Sequence, residues 1–327
     1  MLLVSGDVKR RTGGNLYDQR MERACRRSGV GLRIVAVRST AQARSALRRL
    51  RPRVIVIDSI AINIAAPLAG WARRELGARI IVLMHMPTRA RGTAALLRGA
   101  DRVVAVSPDL ARTLARGGVR RPRISVIPPG SDGIPRVAHR SRRTHDRTLR
   151  VLAVANWSPP KGIATLVAAA AWVPDIHLDL VGDTGEGAYR DVLRERINSK
   201  GTGVVVHGVL NEQGLARCYA GADVFALPTE REGYGIVFAE ALVHGLPIVA
   251  ADIASVRAIV GDAGLFVPPR RVRSLAAALR LMTDVWLRRR LAKNALVRAR
   301  ALPRWRRSQA LFVALVRNEI RAAIART

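Results

Sequence analysis

Glu232 and Glu240 bracket a pair of glycines in the stretch EREGYGIVFAEALVHGLPIVAAD, residues Glu230 to Asp252. The apolar run after Gly235 has helical spacing and stops at Gly245, so Gly233 and Gly235 fall at a helix N-terminus. Free backbone N–H groups and the helix dipole favour an anion there, and phosphate is the common one. The two acids cannot share that task, because like charges repel. Carboxylates are strong acceptors for hydroxyl groups. Glu232 precedes the helix and Glu240 lies about one and a half turns into it. A ligand with phosphate at its centre and hydroxyl-bearing rings on either side satisfies both demands, which describes a nucleotide sugar. Taken singly, Glu232 also reads as a solvated loop acid and Glu240 as a surface position on an amphipathic helix; the combination favours the ligand.

The elements that would position these residues form two series. MLLVSGD reads as a buried strand, and Gly13-Gly14 precede the helical segment LYDQRMERACRRSG. LRIVAV, VIVID with its terminal acid, ARIIVLMH, DRVVAVS and RISVIPPG follow as strands, with AQARSALRRLR among the helices between them. Uninterrupted apolar strands alternating with helices imply a parallel sheet covered on both faces. Residues 134–149 are polar, basic and non-periodic, as a linker would be. A second series then runs through RVLAVAN, IHLDLVGD, GVVVHG, DVFALP and LPIVAAD. The expected domains are 1–149, 150–303 and a C-terminal amphipathic helix over 304–327. That helix carries Ala310, Phe312, Val313, Val316 and Ile320 on its apolar face and packs back toward the first domain. Two doubly wound domains should face a central cleft, with ligands at the carboxyl ends of the strands.

Bulk properties narrow the partners. The 327 residues, 49% hydrophobic, suffice for two domains. The uncharged run Ile60–Ala72 is shorter than the ~20 residues that cross a bilayer. MLLVSGDVKRR lacks the apolar core of a secretory signal, so a cytoplasmic location is the default. Cys25 and Cys218 stand far apart, without disulfide or zinc-ligand spacing, and read as buried thiols. No D-x-D cluster marks a metal-bound diphosphate, so neither metal nor cofactor is expected. Through Arg150 the chain holds 32 Lys and Arg against 9 Asp and Glu, leaving 24 against 15 for the remainder of a net +32. Two readings stand side by side: the first half faces an anionic partner, or the arginines reflect compositional bias. With 4% aromatics and no reading module, no specific nucleic acid is expected.

EGYGIVFAE resembles the E-x7-E motif of the family 4 glycosyltransferases, retaining enzymes of the GT-B fold with two Rossmann-like domains. TGGN (Thr12–Asn15), VLMHMP, VIPPGSD, PPKG and LVGD resemble other family passages in order and spacing, so the likeness covers nearly the whole chain. It implies that Glu240 binds the nucleotide ribose, that Glu232 binds the transferred sugar and that His85 lies near that sugar. Lys161 would contact the diphosphate, with the amides of Gly235, Ile236 and Val237 and the Gly13-Gly14 loop; Tyr234 would line the donor site. As the bond to phosphate breaks, negative charge grows on the leaving group, and a fixed cation such as Lys161 stabilises it most. Relatives commonly place an arginine after the first strand of the second domain; this chain reads AVANWSPPKG there, with Asn156 and Trp157. The implied partners are a nucleotide-sugar donor, an unidentified acceptor and, for the basic half, an anionic membrane surface reached peripherally. The rival reading is a GT-B binding protein with impaired catalysis that uses its basic domain on anionic membrane or nucleic acid.

Overall fold

The computed structural model describes residues 1–88, 90–135, 148–199 and 203–325. Most of the basic stretch read as a linker, residues 136–147, lies outside the described residues. Contacts divide the chain into two compact units, Met1–Gly130 with Pro303–Thr327, and Ser131–Leu302.

In unit 1 the strands are β1 (Leu2–Ser5), β2 (Ile34–Val37), β3 (Val54–Asp58), β4 (Arg79–Met84), β5 (Arg102–Ala105) and β6 (Ile124–Val126). They pair in parallel in the order β2-β1-β3-β4-β5-β6. In unit 2, β7 (Leu149–Val154), β8 (Ile176–Val181), β9 (Val204–Gly208), β10 (Val224–Leu227), β11 (Ile248–Ala251) and β12 (Gly264–Val267) run β12-β11-β10-β7-β8-β9. These pairings are parallel too. β3, β10 and β11 are buried along their whole length, which is why their sequences are continuous rather than alternating apolar runs. Each sheet reverses its strand order once, between β1 and β3 and between β7 and β10. Doubly wound sheets bind ligands outside the carboxyl ends of the strands at such reversals. β12 was not foreseen: its residues, except Val267, are half-exposed, so GLFV gives a weak buried-strand signal.

The helix Trp305–Ile324 belongs to unit 1, packing on the helix Gly13–Arg27 and against β3 and β4. Phe312, Val313 and Val316 are buried as its periodicity requires, and Phe312 meets the Tyr17 ring edge-on. Ala310 is exposed and Ile320 half-exposed, contrary to expectation, while Ser308 and Glu319 are buried. Glu319 faces inward because it is neutralised by the guanidinium groups of Arg79 and Arg102 at the starts of β4 and β5. Cys25 is buried as expected, whereas Cys218 is only partly so.

Part of the arginine excess has a structural use. The last carbonyls of a helix lack intrahelical partners, and several here accept from arginines distant in sequence. Arg298 Nε donates to Ile259 O at 2.8 Å, Arg123 Nη1 to Arg98 O at 2.9 Å, and Arg317 to Ser28 O. A guanidinium is suited to that place by charge as well, since the helix dipole is negative there. Among the described residues no helix is long and apolar enough to cross a membrane.

Candidate active site

At the strand reversal of unit 2, the loop after β7 carries Lys161 and the loop after β10 carries Glu232. The two loops are tied together: Glu230 N donates to Pro160 O at 2.8 Å and Thr229 Oγ1 to the same carbonyl at 3.2 Å. Gly162, just past Lys161, has φ +71°, and a Cβ there would stand 2.4 Å from Pro228 O. Only glycine permits this approach, and the approach brings the Lys161 ammonium onto the Glu232 carboxylate in a direct ion pair.

Gly235 caps the next helix, Ile236–Val243, from a left-handed conformation at φ +90° and, having no side chain, offers that terminus no cap hydrogen bond. The amides of Ile236 and Val237 belong to the first turn, whose donors a helix cannot satisfy internally. Glu240 is 5% exposed, so it is a buried carboxylate and not a surface position. The Tyr219 hydroxyl donates to its Oε2 at 2.9 Å, and the Tyr219 ring stacks on His244 at 4.7 Å. Burial, then the Glu240 charge, push the Tyr219 hydroxyl's pKa well above its usual value, so it stays a donor. Tyr219 was missed in sequence, because its only local signal is helical spacing. Tyr234 is buried, and among the described residues its hydroxyl has no hydrogen-bond partner. In the loop read above as lacking the family arginine, Asn156 Oδ1 accepts from Asp183 N at 3.1 Å and Trp157 N donates to Asp183 O at 2.8 Å. Both hold the loops after β7 and β8 together.

In unit 1 the reversal between β1 and β3 holds a second group. Thr12 Oγ1 accepts from Asn15 N at 3.0 Å, capping the helix that opens with Gly13 and Gly14. A Cβ on Gly14 would lie 3.3 Å from the His85 ring, so glycine leaves room for the imidazole. His85 follows β4; its Nε2 lies 3.2 Å from Asp18 Oδ1 and 3.6 Å from Asp58 Oδ2. Tyr17 meets the same ring edge-on at 5.4 Å. Asp58, the acid that ends VIVID, accepts from Ser59 Oγ at 3.0 Å and from Ile60 N at 2.9 Å through Oδ1. Burial pushes the Asp58 carboxyl up to about 7, helped by Asp18 and opposed by His85. Burial alone would lower the His85 pKa, but the Asp18 and Asp58 charges leave it raised.

These shifts fix a pH dependence. Folded Asp58 holds its proton to about 7, against an ordinary 3.8, so the native state binds the extra proton between those values. Stability from this group is therefore lost as pH rises through that window. The raised His85 acts in the same direction: its contribution is full below 6.5 and disappears as pH passes its folded value. The buried Met1 ammonium, its pKa lowered to about 6, works the other way above that pH, so the test is the difference in melting temperature between wild type and Asp58→Asn: it should shift by several degrees in favour of the wild type from about pH 6 down to about pH 4. Thermal scans showing the opposite slope would contradict this reading of the cluster.

The two parallel sheets, each with charged and glycine-led loops at its point of reversal, define the Rossmann-like class of two-domain α/β proteins. The sequence matches Glycosyltransferase Family 4 over residues 10–132 and Glycosyl transferases group 1 over residues 148–284. The chain belongs to glycosyltransferase family 4, with the GT-B fold. Among curated relatives, the D-inositol 3-phosphate glycosyltransferase of Mycolicibacterium gilvum is 32% identical over 54% of this chain and 42% of its own length. The alpha-D-kanosaminyltransferase of Streptomyces kanamyceticus is 26% identical over 71% of this chain and 59% of its own. The chain thus spans about half the length of the curated relatives it matches. Among solved structures, sucrose-phosphate synthase from Thermosynechococcus elongatus superposes with a TM-score of 0.79 at 20% identity, covering 98% of this chain and 99% of that one. Anabaena HepE, in complex with UDP-glucose, gives 0.76 at 17% identity over 97% and 99%.

Proposed function

We propose that the protein transfers a sugar from a nucleoside-diphosphate sugar to an acceptor, with retention of anomeric configuration. The observation that carries this reading is the Lys161–Glu232 pair beside the first-turn amides of Ile236 and Val237, with buried Glu240 further along the same helix. Cation and amides suit a diphosphate, and the two acids suit the hydroxyl groups of the sugar and the ribose. On donor binding, Lys161 turns from Glu232 to the diphosphate, and Glu232 is released to the sugar hydroxyls. The leaving diphosphate is stabilised by the ammonium and the helix amides and takes up the acceptor proton as the acceptor attacks from the same face. We assign His85, Gly13 and Gly14 of unit 1 and Tyr234 of unit 2 to donor recognition. The positive groups that meet the leaving group are the chain's own, so the reaction is proposed to run without metal or cofactor; activity lost in EDTA and restored by a divalent ion would refute that. The acceptor side and peripheral attachment to anionic membrane are assigned to the basic first half.

The test is release of nucleoside diphosphate from a panel of donors, with UDP-glucose first because HepE binds it. Glu240→Gln should raise donor KM roughly 10- to 100-fold, as loss of a charged hydrogen bond does, with a smaller change in kcat. A protein that binds donors yet turns over none of them is a binding protein, and the proposal then fails.

A further inference from the structure

The cluster under His85 contains two polar atoms that the fold leaves unsatisfied. Among the described residues, Asp18 Oδ2 and Asp58 Oδ2 are both buried without a hydrogen-bond partner. Their residues are 2% and 1% exposed. An unpaired buried carboxylate oxygen costs several kcal/mol, and here two occur side by side, with oxygen atoms of both acids and the His85 ring nitrogen within 4.8 Å of one another. Both carboxylates ionised would place two buried negative charges against one half-buried imidazolium.

We propose that Asp58 is a neutral acid that donates its proton to Asp18, leaving Asp18 as the fixed counter-ion of a protonated His85. One proton then satisfies both orphaned oxygens, and the charges of the group reduce to a single ion pair. The remaining bonds agree with this. Asp58 Oδ1 is held by Ser59 Oγ and Ile60 N, so the Oδ2 side is the one that carries the proton. Ser59 Oγ in turn accepts from His85 N at 3.4 Å, which ties the acid to the backbone of the histidine it serves. Among the described residues, the titratable groups facing Asp58 are Asp18 from the helix Gly13–Arg27 and His85 after β4. Tyr17 faces the same imidazole, and its hydroxyl is already donated to Ile127 O at 2.9 Å. Asp58 is thus a positioning residue: it acts on His85 through Asp18, the pattern in which a buried third group orients an imidazole.

The role in transfer rests on the glycosyltransferase reading above, but the shared proton does not, and the experiment separates them. Carboxyl carbon and imidazole nitrogen shifts of the labelled full chain, recorded at about pH 6, should show Asp58 as the neutral acid, Asp18 as the carboxylate and His85 as the cation. Asp58→Asn, whose amide can still donate to Asp18, should keep His85 protonated at that pH. Asp18→Asn should leave it neutral. Two ionised carboxylates at that pH, or stoichiometric uptake of Zn²⁺ or Mn²⁺ on dialysis that Asp58→Asn abolishes, would overturn the proposal. In turnover, Asp58→Leu should lower kcat/KM for the donor about ten- to a hundredfold, as misplacing the donor-recognising His85 requires, and Asn should restore most of it; Asn as damaging as Leu counts against the positioning role. If Asp58→Leu fails to fold, the wild-type and Asn spectra still decide. Spectra as expected with no donor turned over would sink the transferase reading and leave the proton in place.

Discussion

Lys161→Ala is expected to lower kcat by about 10²- to 10³-fold, the cost of removing one fixed electrostatic stabiliser of a developing anion, or about 2.7–4 kcal/mol. The lysine side chain is 30% exposed and ends a short turn, so the fold has little to lose. Its effect should fall on kcat more than on KM, because charge on the diphosphate grows as the glycosidic bond breaks. Alanine also leaves Glu232, 10% exposed, without its cation before the donor binds. Because the two part on donor binding, Glu232→Gln should cost about as much in kcat on top of Lys161→Ala as it does alone. Steady-state release of nucleoside diphosphate measures all three variants. A Lys161→Ala enzyme within about threefold of wild type would mean that the amides of Ile236 and Val237 carry the diphosphate unaided.

Glu319→Ala should have the largest effect on stability. Its carboxylate is 3% exposed and bonds to Arg79, 11% exposed, and through Oε1 to Arg102 Nε at 2.9 Å. Arg79 also reaches Asp101 Oδ1 at 3.3 Å, and Asp101 Oδ2 accepts from Ile80 N at 2.8 Å, so the pairing is built into the edge where β4 and β5 begin. Removing one partner of a buried pair costs about 3–5 kcal/mol because the other charge stays behind. The lower end applies here, since Arg102 is 39% exposed and regains water. Denaturant unfolding, followed by probes in each unit separately, should show the transition of unit 1 moving to lower denaturant while that of unit 2 stays. A shift of unit 1 below about 1 kcal/mol would reduce the triad to a surface ion pair.

What was legible in the sequence follows from how local each signal is. Lys161, Glu232, Gly235 and Glu240 are marked by neighbours within a few residues: a glycine that must turn, a helix that must start. The parallel strands were legible because burial on both faces writes itself as continuous apolar runs such as VIVID and DVFALP. β12 escaped because most of it is half-exposed. On the last helix, periodicity predicts Phe312 and Val316 correctly but cannot show that Glu319 turns inward, since its partners Arg79 and Arg102 lie 240 and 217 residues away. The Asp18–Asp58–His85 group was invisible for the same reason: its members come from a helix and two strand ends, and only folding makes them neighbours. Tyr219 beneath Glu240 is a third case. Sequence shows which residues a loop or helix presents, and distant partners decide their charge and orientation.

The helix Trp305–Ile324 completes a unit whose other residues are Met1–Gly130, while Ser131–Leu302 is one uninterrupted stretch. On a ribosome, domains ordinarily mature in the order in which they emerge. Here the order inverts: the segment that leaves the exit tunnel first is finished last. Until Phe312 arrives, the apolar side of Tyr17 stays uncovered while the middle portion is synthesised, and transiently exposed apolar surface of this kind is what chaperones bind.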